Sequence, residues 1–328
     1  MRVSKSLPIC TFQRATPPPL PAAAQTVYSI SPMRPDPIAR AIAARLTALQ
    51  ASQRLSAWSL IVTFLGDAIG PRGGEVSAAA VQVLMARLGI DHGAVRTAVS
   101  RLAADGWIER TREGRNSFYR LSPGVAQTVL EAEQRIYAGT SLLAADTPRS
   151  LIIAGQPLAE TQTTELDRLG ALALGDRVFL CFTPAQDALA ALPGTEVSGA
   201  DISSFIPSPL VQDRLRAARL ANEFSALSAA YRPILKALEK VSSLDPEDAI
   251  TLRCLMIHEW RRMALRVLAI PADLAPKDDA EPEARALIAR IYRELLAPSE
   301  RWLDSHAATA CGSLPPAHPR LALRFETA

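Results

Sequence analysis

The sequence predicts an α+β fold, and three stretches of the 328-residue chain predict it. Between Trp58 and Leu121, three helical patterns close on a short glycine-containing hairpin. Between residues 149 and 207, short apolar strands alternate with helices, the pattern of a small α/β layer. From Pro209 onward the apolar spacing is almost wholly helical.

The first stretch contains four pieces. WSLIVTFLGDAIG reads as an apolar helix, and SAAAVQVLMARLG as a second helix closed by Gly89. DHGAVRTAVSRLAADG is a third, with Asp91 as its N-cap and Gly106 just past its end. An aspartate side chain satisfies free amides at a helix start, and glycine enters left-handed backbone space without steric cost. WIERTREGRNSFYRL is two strands around a turn at Glu113, Gly114, Arg115 and Asn116. The order is that of a winged helix-turn-helix, with a leading helix IARAIAARLTALQ after Asp36-Pro37, so residues 36–124 are expected to form a DNA-binding domain.

Helix three carries the reading surface. Val95, Val99 and Leu102 form a narrow apolar stripe expected to face the other two helices. The opposite side carries His92, Arg96, Thr97, Ser100 and Arg101, groups suited to base edges and phosphates. Arg110, Arg112, Arg115, Asn116 and Arg120 lie on or beside the hairpin, opposed only by Glu109 and Glu113. An arginine-rich wing tip suits backbone phosphate or an adjacent minor groove. An ordinary amphipathic helix has a similar polar face, and a winged module can also bind protein; the arginine-rich wing favours DNA.

The segments WSLIVTFLGDA, RGGE, AVRTAVSRLAADGWIERTREGRNSFYRLS and RIY resemble the N-terminal half of PaaX-type transcriptional repressors. LDPEDAITLRCLMIHEWRRMALRVLAIPADLAP, at residues 244–276, resembles the family's C-terminal signature with its His-Glu-Trp-Arg-Arg core. The resemblance implies repression of aromatic-acid catabolic genes, typically those of phenylacetate, relieved by the aryl-acyl-coenzyme A thioester. It also implies a ferredoxin-like arrangement for residues 149–207. On this reading Arg253, His258, Arg261 and Arg262 are candidates for the phosphates of the thioester, since arginine forks suit that chemistry, and Trp260 is an apolar wall. The competing reading of the same helix is a solvated face with i, i+4 charge pairs, or one in which Trp260 and His258 anchor neighbouring domains. A two-fold-related, palindromic operator read by a homodimer is expected, because one module gives too little specificity among genomic competitors.

Composition fits a cytoplasmic regulator. The net charge is only +3, so basic character serving DNA must be local. Cys10, Cys181, Cys254 and Cys311 have no paired spacing, which suits a reducing compartment and suggests neither a disulfide framework nor a metal site. No cofactor and no metal are expected. His92, His258, His306 and His318 lack ligand spacing, and the chain has no nucleophile elbow, Walker loop or dinucleotide fingerprint. An enzyme is therefore not expected; its form would be a thioester-processing enzyme with an accessory winged domain, and adjacent His258 and Glu259 do not face one another on a helix.

The remaining boundaries follow from local signals. Residues 1–35 are acid-free and proline-rich, read as a disordered tail or an extension before a start at Met33. Its longest uncharged run, Thr16 to Met33, contains five prolines and cannot span a membrane. GVAQTVLEAEQRIYAG gives a connecting helix within residues 125–148. RSLIIAG, DRVFLCF and TEVSGADIS are the three strands expected in residues 149–207. A helical C-terminal domain is expected over residues 208–307, with a helix starting at Asp245-Pro246 and another over PEARALIARIYRELLAPSERWLDSHA, followed by a tail at 308–328.

Overall fold

Caps and glycine stops set the helix limits in the first third of the chain. The computed structural model describes residues 37–326; the Asp36 cap and the tail at 1–35 lie outside them. Helix α1 (Pro37–Ala51) is followed by α2 (Ala57–Phe64), whose first turn is capped by Ser56. The chain then widens into a π-turn, Leu65–Ile69, and tightens into a 3-10 turn, Gly70–Arg72. A three-residue strand β1 (Glu75–Ser77), not expected from the sequence, leads into α3 (Ala78–Arg87), capped by Ser77. Asp91 accepts a hydrogen bond from the Ala94 amide at 2.9 Å and starts α4 (His92–Ala104). Strands β2 (Ile108–Glu113) and β3 (Asn116–Leu121) pair from Ile108↔Leu121 to Glu113↔Asn116. That register leaves a two-residue turn, and Gly114 holds φ +57° at its first central position, where glycine is favoured in a type II′ hairpin. Strand β1 adds to β3, giving the antiparallel order β1-β3-β2.

Helix α5 (Ala126–Ile136) and the short strand β4 (Leu142–Leu143) lead into a four-stranded sheet. Its elements run β5 (Ser150–Ala154), α6 (Glu160–Arg168), β6 (Leu172–Ala173), β7 (Val178–Cys181), α7 (Ala185–Ala190) and β8 (Val197–Asp201). The strand order is β6-β7-β5-β8 with every neighbouring pair antiparallel. Where the sequence predicts three strands there are four, because β6 is too short to display alternation. Both faces of the sheet are covered. Ile152, Phe179 and Cys181 pack with Leu166, Ala188 and Leu192 of the flanking helices and the turn after them. Leu180 and Leu172 point the other way, toward Leu215, Ile270 and Leu274.

The remaining helices are α8 (Pro209–Ala218), α9 (Ala221–Leu238), α10 (Pro246–Ala264) and α11 (Glu281–His306). Leu220, at φ +54°, breaks the run expected from residue 209 into α8 and α9. Asp245 caps α10 by accepting from the amides of Glu247 (2.9 Å) and Asp248 (3.1 Å). Strand β9 (Ile270–Pro271) pairs in parallel with β4.

Helix α10 sits between two cores. On one side Ile250, Cys254 and Leu255 join Leu60, Phe64, Val81, Leu84, Val95 and Leu102. On the other, Leu252, Met256 and Trp260 join α1, α9 and α11 through Ile38, Tyr231 and Ile288. Helix α1 therefore packs largely on the C-terminal helices, and the described residues form one compact unit. The described part of the tail expected at 308–328, up to residue 326, is structured. Strands β10 (Ala308–Thr309) and β11 (Gly312–Ser313) form a hairpin, Pro319–Leu323 is a 3-10 turn, and Leu314 and Leu321 are buried. None of the helices among the described residues is long and apolar enough to cross a membrane.

Candidate nucleic-acid interface

Burial of one stripe of α4 fixes what the other side presents. Val95, Ala98, Val99 and Leu102 are buried against α2 and α3, so His92, Arg96, Thr97, Ser100 and Arg101 are turned to solvent. The hairpin leaves Arg110, Arg112, Arg115, Asn116 and Arg120 exposed, while Tyr119 anchors β3 in the core and Phe118 is buried too. Local hydrogen bonds orient part of this face: His92 Nδ1 lies 2.9 Å from Gln82 Oε1, Thr97 donates to the Gly93 carbonyl, and Arg110 donates to Ser117 Oγ at 2.9 Å. Arg96, Arg101, Arg112 and Arg115 have no hydrogen-bond or ion-pair partner among the described residues. Four uncompensated guanidiniums on a helix and a hairpin, held by one packed core, can engage a polyanion without first breaking protein contacts.

The second candidate group is placed differently. Arg253 and Trp260, expected as ligand-facing, are fully buried. Arg253 donates to Asp67 Oδ2 at 2.7 Å and to Glu300 Oε1 at 2.8 Å, and Trp260 Nε1 donates to the Ile136 carbonyl at 2.8 Å. His258 is also buried: Nε2 donates to the Arg54 carbonyl at 3.0 Å, and burial pushes its imidazole down to about 4. Arg261 turns toward α2, donating to Thr63 Oγ1 at 2.8 Å and to Ser59, while Arg262 is the exposed member. The five residues therefore do not converge on one phosphate-binding surface. They pin α10 to α2 and α5, because the helix is buried on both sides and its polar groups must find protein partners. Glu259, which the competing reading would place on a solvated face, is likewise buried, accepting from Arg45 and from Tyr231 at 2.6 Å.

The strongest polar junction centres on a residue not singled out in the sequence. Asp67, in the π-turn after α2, is 4% exposed and accepts from Arg253, Arg324 (2.8 Å), Tyr292 (3.0 Å) and Tyr137 (2.5 Å). Burial pushes its carboxyl up, but Arg253 and Arg324 outweigh that and hold it below the usual range. Arg324 also stacks on Tyr137 at 3.8 Å from the ring centre and reaches Glu133 at 2.6 Å. A second buried junction joins Arg219 to Asp279 (2.8 Å) and Glu281 (3.1 Å), with Arg285 on Glu281 at 2.6 Å. The available signal for Asp67 was a carboxylate inside the otherwise apolar run WSLIVTFLGDAIG. Its partners lie 186 and 257 positions away and carried none.

No cluster of three histidine, cysteine or acidic side chains among the described residues could hold a metal ion. An α+β chain whose unpaired cationic edge is backed by one packed core has a surface suited to a polyanion. Comparison with known proteins points to a family. Residues 56–125 match the model for PaaX-like proteins, and residues 216–305 match that for the PaaX-like protein C-terminal domain. The transcriptional repressor PaaX of Escherichia coli (strain K12) is 29% identical over 281 residues, spanning 80% of this chain and 87% of that protein. These two matches and this identity support a PaaX-family regulator. The first match covers the helix-and-hairpin unit and the second covers most of α8 to α11, the two parts that α10 joins.

Proposed function

We propose that the protein is a DNA-binding transcriptional repressor that reads a two-fold-related operator as a homodimer. The reading unit is a winged helix-turn-helix: α2, β1, α3, α4, β2 and β3 follow in that order, with α4 as recognition helix and the β2–β3 hairpin as wing. The observation that carries this reading is the exposure of all nine polar positions, His92, Arg96, Thr97, Ser100, Arg101, Arg110, Arg112, Arg115 and Asn116, on one packed support. Arg96 and Arg101 project from α4 toward base edges, and the hairpin arginines toward backbone phosphate. The βαββαβ order and the antiparallel arrangement β6-β7-β5-β8 support a ferredoxin-like middle layer. By family resemblance, the controlled genes serve aromatic-acid catabolism of the phenylacetate type, and an aryl-acyl-coenzyme A thioester releases the operator.

Gel shifts on the chain's own promoter region, across a salt series, test the reading. Specific retardation with a steep salt dependence, and a mass on the operator of two chains per site, are the expected results. Addition of an aryl-acyl-coenzyme A is expected to weaken the complex between about five- and 150-fold, the range of ordinary allosteric coupling. Salt-independent binding, or one chain per operator, rejects the reading unit or the dimer respectively.

A further inference from the structure

Between α2, α5 and α10 lies a cavity of about 180 Å³ whose walls are mainly apolar, including Trp58, Val62, Trp107, Ile136, Ile257 and Leu265. Apolar cavities of about 150 Å³ hold a benzene-sized guest. Trp58 and Trp107 meet edge to face, with centroids 5.2 Å apart, and give the cavity an aromatic wall. Its cation is Arg261. That guanidinium uses Nε on Thr63 Oγ1 and Nη2 on the Ser59 carbonyl and hydroxyl, all neutral acceptors, and no carboxylate pairs with it among the described residues. The two carboxyls that also line the cavity are committed elsewhere: Asp67 to Arg253 and Arg324, and Glu133 to Arg324. A partly buried guanidinium with an unused Nη1 and no counter-ion, beside an aromatic wall, calls for a compact apolar anion.

We propose that this cavity is a binding site for a small aromatic or alicyclic monocarboxylate, its ring against Trp58 and Trp107 and its carboxylate on Arg261. The site is separate from the thioester effector proposed above: a thioester carbonyl is neutral and cannot supply the missing charge. Binding also needs no DNA, so the site stands or falls independently of the operator reading. The occupant touches α2 and Trp107; the Trp107 amide donates to the Leu102 carbonyl of α4 at 2.8 Å, so bound acid adjoins the base of the reading unit.

Calorimetry and tryptophan-emission titrations of the chain with benzoate, phenylacetate and cyclohexanecarboxylate test the assignment. The expected result is one acid bound per chain with a change in emission, and benzamide weaker than benzoate by roughly tenfold or more. Arg261→Gln removes the charge. Gly66→Leu occupies the space with Arg261 intact, since a Cβ at Gly66 meets no atom within 4 Å. Each is expected to weaken benzoate by roughly tenfold or more, and if one variant does not fold the other decides. No binding of any of the acids at millimolar concentration overturns the proposal, as does equal binding by a folded variant. Equal affinity for benzamide or for benzoyl-coenzyme A overturns the charge argument and with it the ligand class.

Discussion

Asp67 shows how one buried carboxylate holds distant parts of this chain together. Removing one partner of a buried ion pair leaves an uncompensated charge, which costs about 3–5 kcal/mol. Asp67→Asn is therefore expected to lower denaturation stability at neutral pH by up to that amount, since Arg253 and Arg324 would keep only Glu300 and Glu133. Because the folded carboxyl titrates below its unfolded value, its contribution is full above about pH 4 and is lost as pH falls through the folded value. A denaturation series from pH 7 to pH 2.5 should show the wild-type and Asp67→Asn curves converging at the acid end; parallel curves exclude the assignment. His258 acts in a higher window. Its folded value, about 4, lies below the ordinary value near 6.5, so the unfolded chain takes up the proton first. Stability from this group is present above about pH 6.5 and declines toward pH 4, with a slope of at most roughly 1.4 kcal/mol per pH unit. His258→Gln should flatten the profile between those limits, and an unchanged slope would assign the titration to another group.

At the scale of elements, the proposed function divides the work of reading between α4 and the hairpin. Arg96→Ala or Arg101→Ala should cost about 1–3 kcal/mol on the operator if the side chain grips a guanine edge, with little loss on unrelated DNA. Arg112→Ala and Arg115→Ala should weaken all sequences alike and reduce the salt slope by roughly one unit each. A double Arg112→Ala, Arg115→Ala variant with wild-type affinity and salt slope would falsify the wing. These elements were legible from the sequence because their signals are local. Asp91 caps within three residues, Gly106 and Gly114 sit where positive φ is needed, and Val95, Val99 and Leu102 repeat at helical spacing. Strands β1 and β6, three and two residues long, are too short to show a period, and their pairing comes from β3 and β7. The interior position of helix α10 was not legible for a different reason. Arg253, His258 and Glu259 look like a solvated face to any argument from periodicity, and only partners contributed by α1, α2 and α11 make them interior.

For the molecule as a whole, the segment after α11 acts as a clasp. Arg324 and Phe325 pack on Tyr137 and Tyr292, and the Phe325 amide donates to the Tyr137 carbonyl at 2.8 Å. Deleting residues 319–328 removes one of the guanidiniums that face Asp67 and uncovers a ring cluster, so thermal unfolding should begin at lower temperature than in Arg320→Ala, which alters an exposed side chain of the same segment. Equal melting of the two would show that the clasp contributes nothing. The same connection has a consequence for birth rather than for maintenance. The apolar floor beneath the reading unit includes Leu255, Trp302 and Leu314, all synthesised long after Leu102 and Tyr119 have left the ribosome. Chains generally fold from the N-terminus as they emerge, but part of the core of this unit is supplied only by α10, α11 and the segment after them. A ribosome that stalls or terminates before α11 thus releases an arginine-bearing surface without the mass that holds it in shape. On the proposed function, competence to read an operator then depends on completed translation, and an unfinished chain is expected to go to chaperones and proteases instead.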